Sequence, residues 1–268
     1  MERIVAAAVQ LTSSADREAN LANAFALIDE AVRRGARFVG LPENVDFMGP
    51  DREKRALAEP LDGPTFTAFA RKAAERKIWL LAGSIGERSE VPGKIHNTSV
   101  LYGPDGERVA VYRKMHLFDV DLPDGARYRE SELVAPGPEP VVAETPFARV
   151  GMTVCYDLRF PELYRALAAR GAEVLVVPAA FTLHTGKDHW EVLLRARAIE
   201  NTSWLLAPAQ VGRHSEKRTT YGNAMIVDPW GTVVARASDG PGLCLAELSP
   251  EVLARVRREI PSLGHRRL

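Results

Sequence analysis

Apolar residues fall in two rhythms along this chain, short continuous runs and longer stretches of helical spacing. Residues 4–11 form an apolar run of strand length. Residues 20–34 carry Leu21, Ala24, Phe25, Ile28, Ala31 and Val32 at helical spacing, and Gly35 stops them. Residues 38–41 read as a second buried strand ending at Pro42-Glu43. A helix over 65–76 follows Pro64, and 78–85 reads as a third strand. Two more strands, 97–102 and 107–112, flank the turn Gly103-Pro104-Asp105-Gly106.

The second half repeats this grammar. Strands over 149–154, 174–178 and 204–208 alternate with helices over 161–170 and 188–200. A hairpin follows, 224–227 and 232–237 around Asp228-Pro229-Trp230-Gly231. A strand over 243–248 and a helix over 250–260 end the pattern. Strand–helix–strand–helix–strand–hairpin thus occurs twice, with little residue identity between copies. Two sheets, each covered by amphipathic helices on one face, predict an α/β fold, a four-layer αββα sandwich. The expected organisation is one internally duplicated domain over residues 1–268, with no linker between the halves. Residues 119–140, rich in Pro, Gly and charge, read as the longest irregular segment, and loops of that length are often functional.

Composition narrows the classes of function. Lys and Arg number 35 against 35 Asp and Glu, so the chain has no basic excess for nucleic acid or an anionic membrane. No apolar run is long enough to span a bilayer. The N-terminus lacks a signal-peptide pattern, which makes the cytoplasm the expected location. The two cysteines, Cys155 and Cys244, cannot build a disulfide framework. The six histidines show no metal-ligand spacing, so neither metal nor cofactor is expected.

Three residues stand where chemistry could occur. Cys155 is delivered by an apolar strand to a turn before Pro161, where a helix dipole and nearby cations would favour its thiolate. Glu43 ends a buried strand, and burial would lift its pKa toward the range of a general base. Lys114 follows the first hairpin and could hold an oxyanion. Taken singly, each has a plainer reading: a buried structural cysteine, a solvated acid and a surface lysine. Cys244 lies mid-strand and reads as core. Ser84, in Gly83-Ser84-Ile85-Gly86, imitates a serine-hydrolase elbow but no helix follows it.

Together, Leu41-Pro42-Glu43, Tyr112-Arg113-Lys114-Met115-His116-Leu117 and Cys155-Tyr156-Asp157-Leu158-Arg159-Phe160-Pro161-Glu162 resemble the three signature segments of the nitrilase, or carbon–nitrogen hydrolase, superfamily. The resemblance covers essentially the whole chain and implies the αββα fold. It implies a Glu43–Lys114–Cys155 catalytic set and a further catalytic glutamate at Glu130, with Glu132 the competing choice. It implies a cofactor-independent amidase that works through a cysteine thioester, releasing a carboxylic acid and ammonia from a small-molecule amide.

Tyr156-Asp157, where nitrilases carry Trp-Glu, points away from nitriles. The segment resembles the Nit branch, which hydrolyses amides of α-keto acids. Gln210 to His214, Lys217-Arg218, Tyr221-Gly222, Gly240 to Leu243 and His265 to Arg267 resemble the members acting on deaminated glutathione more than those acting on α-ketoglutaramate. Asn223-Ala224 departs from the His-Ser common there. The resemblance further implies that Tyr156 supplies an oxyanion N–H, that Arg159 receives a substrate anion, and that Phe181 and Thr185 line the same mouth. It implies a homodimer, for which Trp190, Leu193 and Leu194 are the candidate face. The alternatives are an ω-amidase, an N-carbamoyl amide hydrolase and a catalytically idle binding protein.

Overall fold

The computed structural model describes residues 1–121, 125, 127–216 and 218–267. In the first half run β1 (Ile4–Leu11), α1 (Arg17–Arg33), β2 (Phe38–Gly40), α2 (Asp51–Ala56), α3 (Pro64–Arg76), β3 (Trp79–Leu81), β4 (Ile85–Arg88), β5 (Ile95–Tyr102) and β6 (Arg108–Arg113). A connecting segment holds β7 (Asp119–Asp121), β8 (Arg127–Arg129) and α4 (Glu130–Leu133). Then come β9 (Val141–Glu144), β10 (Arg149–Met152), α5 (Pro161–Ala169), β11 (Val174–Val176), α6 (Leu183–Asn201), β12 (Trp204–Ala207), β13 (Ala209–Arg213) and β14 (Thr219–Tyr221). The chain closes with β15 (Met225–Val227), β16 (Val233–Arg236), β17 (Gly242–Leu248) and α7 (Pro250–Glu259).

Among the described residues these strands form two large sheets. In the first, β1, β2 and β3 are parallel, β5 lies antiparallel to β3, and β4 and β6 both pair with β5. In the second, β10, β11 and β12 are parallel and the β15–β16 hairpin lies antiparallel beside β12. The two sets of pairings follow the same plan. β17 breaks the symmetry by crossing back to lie antiparallel to β1, so the last strand completes the first sheet.

Alternation along the buried strands produces the layers. On β1, Ala6 and Ala8 pack in the cluster that holds Val150, Leu175 and Leu206 of the second sheet. Ala7, Val9 and Leu11 turn to the other face, against Ile28 of α1 and Phe66 and Phe69 of α3. Phe38 and Val39 on β2, and Leu81 and Leu80 on β3, split in the same way. Strands covered on both faces need apolar residues at every position, which is why they read as continuous runs. Small residues let the sheets approach: a Cβ on Gly40 would stand 3.0 Å from the Leu206 side chain. On the far face, Leu163 and Leu167 of α5 and Trp190 and Leu194 of α6 close the fourth layer.

Four expectations are corrected. The run 78–85 is two strands, separated at Gly83, whose φ is +54° and whose Cβ would lie 2.0 Å from the Pro42 carbonyl oxygen. Residues 119–140 hold a β-hairpin and a short helix; Lys217, Leu122, Pro123, Asp124 and Ala126 lie outside the described residues. Helix α6 begins at Leu183, five residues before the expected start, because the Thr182 hydroxyl caps it by accepting the Thr185 N–H. The candidate dimer face is core: Trp190 is buried, donating its indole N–H to the Asn223 carbonyl at 2.8 Å, and Leu194 is fully enclosed. No helix among the described residues is long and apolar enough to cross a membrane.

Candidate active site

Three strand ends converge on one pocket. Glu43 follows β2, Lys114 follows β6, and Cys155 opens a tight turn just after β10. Cys155 holds a φ of +51°, a left-handed conformation that an L side chain rarely adopts. The Cys155 N–H donates to the Pro178 carbonyl at 2.9 Å and so fixes the strained residue. One turn of 3-10 helix, Cys155–Arg159, separates it from α5.

The Lys114 ammonium lies between two carboxylates. Its Nζ is 3.0 Å from Glu43 Oε1 and 2.8 Å from Glu130 Oε2. The Asn97 amide N–H donates to the same acids, at 2.9 Å to Glu43 and 3.3 Å to Glu130. Backbone N–H groups complete the set, Ala180 donating to Glu43 Oε2 at 3.0 Å and Phe118 to Glu130 Oε2 at 2.7 Å. Glu43, Lys114 and Asn97 are buried, and this many charge-assisted bonds is what lets buried ions persist. Glu132, the competitor to Glu130, is solvent-exposed.

The charge states differ from the sequence expectation. Burial pushes the Glu43 carboxyl up, but the Lys114 charge and hydrogen bonds from Cys155 and Lys114 outweigh it and hold Glu43 below the ordinary carboxylate value. Burial and the neighbouring Glu43 charge push the Cys155 thiol well up, against the pull of Lys114. Burial disfavours the Lys114 ammonium, yet Glu130 and Glu43 more than restore it and its pKa is raised. The resting set is therefore thiol, carboxylate and ammonium. The expected lift of Glu43 and lowering of Cys155 are both reversed, because each depends on partners far away in the chain.

The other candidates line the same pocket: Tyr156, Arg159, Phe181 and Thr185. The Arg159 guanidinium lies 5.3 Å from the Phe181 ring centre and 5.9 Å from that of Tyr156, and one N–H reaches His189 Nδ1 at 3.2 Å. Among the described residues Arg159 makes no ion pair. Asp157 is wholly committed elsewhere, accepting from the Tyr112 hydroxyl, the Val154 and His116 N–H groups and the His116 ring. Thr185 belongs to the first turn of α6 and not to a loop.

Asn97, Lys54 and Arg218 also reach the pocket, or the acids within it; sequence reasoning gives none of them a role there, Arg218 entering only through the Lys217-Arg218 pair of the resemblance. For Asn97 a signal exists: Asn97-Thr98-Ser99 is a buried polar run within a strand buried at every position but His96. Cys244 and Ser84 lie elsewhere. Cys244 is buried on β17, and Ser84 accepts the Asn44 N–H at 3.0 Å, bracing the turn that carries Glu43. Asn223-Ala224 does not line the pocket; Asn223 meets Trp190, and Ala224 donates to Gln10 at 2.8 Å. Among the described residues no group of three metal-type ligands occurs.

A buried thiol, carboxylate and ammonium thus meet at the strand ends of an αββα sandwich. The sequence matches the carbon–nitrogen hydrolase family over residues 5–258, and the chain belongs to that family, within the nitrilase superfamily. It is 49% identical to deaminated glutathione amidase of Synechocystis over 273 residues, covering 99% of each chain. It is 48% identical to the human deaminated glutathione amidase, covering 97% of this chain and 81% of that one. Its fold resembles the crystal structure of Saccharomyces cerevisiae Nit3, of branch 10 of the nitrilase superfamily. That match has a TM-score of 0.90 and 33% identity, covering 100% of this chain and 97% of the other.

Proposed function

We propose that this carbon–nitrogen hydrolase is an amidase that cleaves deaminated glutathione. The observation that carries the chemistry is the contact of Lys114 with both Glu43 and Glu130 beside the Cys155 thiol. The substrate assignment rests on likeness to relatives named for that activity in bacteria and mammals.

Glu43, ionised at rest, takes the thiol proton as Cys155 Sγ bonds to the amide carbonyl carbon. The carbonyl oxygen becomes an oxyanion, held by the Lys114 ammonium and by the Tyr156 N–H, which stands in the first turn of a helical segment and lacks an intrahelical acceptor. Glu43 returns its proton to the amide nitrogen, the carbon–nitrogen bond breaks, and an amine leaves. A thioester remains on Cys155. Glu43 then takes a proton from water as the water oxygen attacks the thioester carbon, the carbon–sulfur bond breaks to free the acid, and Glu43 returns the proton to Cys155 Sγ. Glu130 keeps Lys114 aimed at the oxyanion and supplies part of its counter-charge. A primary amide gives ammonia. Deaminated glutathione gives cysteinylglycine instead, because its scissile nitrogen is that of the cysteine.

The same reading takes the chain as one duplicated domain, cytoplasmic, and a homodimer. Exposed apolar groups on the outer side of α6, Val192 and Ile199, with Trp230 of the nearby β15–β16 turn, favour the dimer. Two reduced cysteines suit a reducing compartment. The decisive experiment compares release of the α-keto acid from deaminated glutathione and from α-ketoglutaramate. Deaminated glutathione should be preferred, and Cys155→Ala should abolish both activities. A preference for α-ketoglutaramate would overturn the substrate, and an active Cys155→Ala enzyme would overturn the mechanism.

A further inference from the structure

The pocket carries more positive charge than the proposed chemistry uses. Lys114 is matched by Glu43 and Glu130, and Arg127 and Arg129 are both paired with Asp121. Three cations remain: Arg159, Lys54 and Arg218. Among the described residues none of the three makes an ion pair. They lie on two walls. Arg159 belongs to the wall of Tyr156, Phe181 and His189. Lys54, from α2, belongs to a wall supplied by the first half, where its ammonium donates to the neutral Asn44 Oδ1 at 2.5 Å. Asn44 adjoins Glu43 in sequence, and Arg218 acts electrostatically on both Glu43 and Lys54. Glu130, Glu43 and Asp46 act on Lys54 from beyond contact, the first two being paired with Lys114 and Asp46 with Arg17, and Asp51 is exposed and pairs with neither cation.

Two like charges that repel each other in a half-buried pocket, with no carboxylate in an ion pair with either among the described residues, form an arrangement that an anion would relieve. Its position says which anion. Glu43 is the group that hands a proton to the departing nitrogen, so the leaving amine must extend past Glu43. A chain running that way meets Asn44, Lys54 and Arg218. We infer that Lys54 and Arg218 form a second carboxylate subsite, which receives the terminal carboxylate of the amine half of the substrate. The acyl half, with its own carboxylate, lies toward Arg159. Two separated receptors fit an amide with a carboxylate at each end, such as deaminated glutathione. They exceed what α-ketoglutaramate, with one carboxylate and an ammonia leaving group, can use. This inference rests on the functional reading above and sharpens it.

The test measures binding apart from turnover. Calorimetric titration of the Cys155→Ala protein compares reduced deaminated glutathione with its analogue in which the glycine carboxylate is a carboxamide. The dianion should bind about tenfold or more tightly, the size of one charge-assisted contact. Lys54→Met and Arg218→Gln, each added to Cys155→Ala, should bring that ratio toward one. Equal affinity for the two ligands, or a preference that survives both substitutions, would overturn the subsite. Turnover of deaminated glutathione by the unsubstituted enzyme is read separately. Its absence alongside the binding preference would defeat the functional reading and leave the subsite standing.

Discussion

The Tyr112 hydroxyl donates to Asp157 Oδ2 at 2.6 Å, and this buried bond joins the strand that delivers Lys114 to the turn that carries Cys155. The same carboxylate accepts the Val154 N–H at 2.8 Å, one residue before Cys155, and the His116 N–H at 3.0 Å, two residues past Lys114. Asp157 therefore ties the segment of Lys114 to the segment of Cys155. Tyr112→Phe keeps the ring and removes one hydrogen bond to a buried charge, a loss of about 1.5–3 kcal/mol. Its unfolding midpoint should fall in urea, and kcat should drop more than KM changes, because the loosened geometry concerns Lys114 and Cys155. An unchanged kcat with a lowered midpoint would reduce this bond to a purely structural role.

Glu130 and Glu132 stand two residues apart and differ in every contact that matters. Glu130 touches Lys114 with both oxygens, at 3.0 and 2.8 Å, and accepts the Phe118 N–H. Glu132 faces solvent. Glu130→Gln keeps the shape but removes a charge from beside a buried ammonium, and kcat should fall on the order of 10²–10⁴-fold. Glu132→Gln should stay within about twofold, as exposed substitutions usually do. Steady-state kinetics of the two variants decides between them, and equal losses would contradict the assignment.

How much of this could be read beforehand depends on the range of each interaction. The strands β1, β2 and β10 announce themselves because burial on both faces demands unbroken apolar runs. Glu43 and Cys155 are visible because each closely follows such a strand, and Lys114 because it follows a hairpin strand in a distinctive segment. Their charge states were not visible. Glu43 is depressed by a lysine 71 positions away, and no local pattern encodes that partner. Lys54 gives no signal for the same reason, since an isolated surface-type cation has no periodicity to betray it, and Arg218 stands out only in the Lys217-Arg218 pair, with nothing local that places it in the pocket. Where the pattern misled, composition had been taken for structure. The Pro, Gly and charge of 119–140 read as loop, yet Asp121 against Arg127 and Arg129 pins a hairpin there. The start of α6 was hidden because its first turn, Leu183-His184-Thr185-Gly186, carries little helical signature apart from the Thr182 cap.

The resting protonation pattern has a consequence for pH. Glu43 is held below the ordinary carboxylate value, so its stabilising contribution is present above that value and is lost as pH falls toward its native pKa. The acid limb of kcat/KM should accordingly lie below the usual carboxylate range. Cys155 is pushed up by burial and by the Glu43 charge. Glu43→Gln removes that charge while Lys114 stays, so the Cys155 thiol should titrate lower than in the unsubstituted enzyme. Amidase turnover should meanwhile fall on the order of 10²–10⁴-fold for want of a base. Alkylation by iodoacetamide, followed across pH, reads the thiol directly. An alkylation midpoint that is unmoved or higher in the variant would show that Glu43 does not control the nucleophile.

Arg159 tests the acyl side of the pocket. Its guanidinium lies near the Tyr156 and Phe181 rings, and it reaches a histidine nitrogen at 3.2 Å. Asp157, the nearest acid in sequence, is saturated by other donors, so an ion pair is not what holds Arg159 there. A planar guanidinium facing a pocket and free of acids is suited to a carboxylate at two points. Arg159→Ala should raise KM for an α-keto acid amide roughly 10- to 100-fold, the value of a charge-assisted contact. For a neutral amide of the same length the change should be within about threefold. The contrast between the two substrates matters more than either number. Stacking loss alone would weaken both alike, and equal effects would assign Arg159 to the packing of Tyr156 and Phe181 instead of to the substrate.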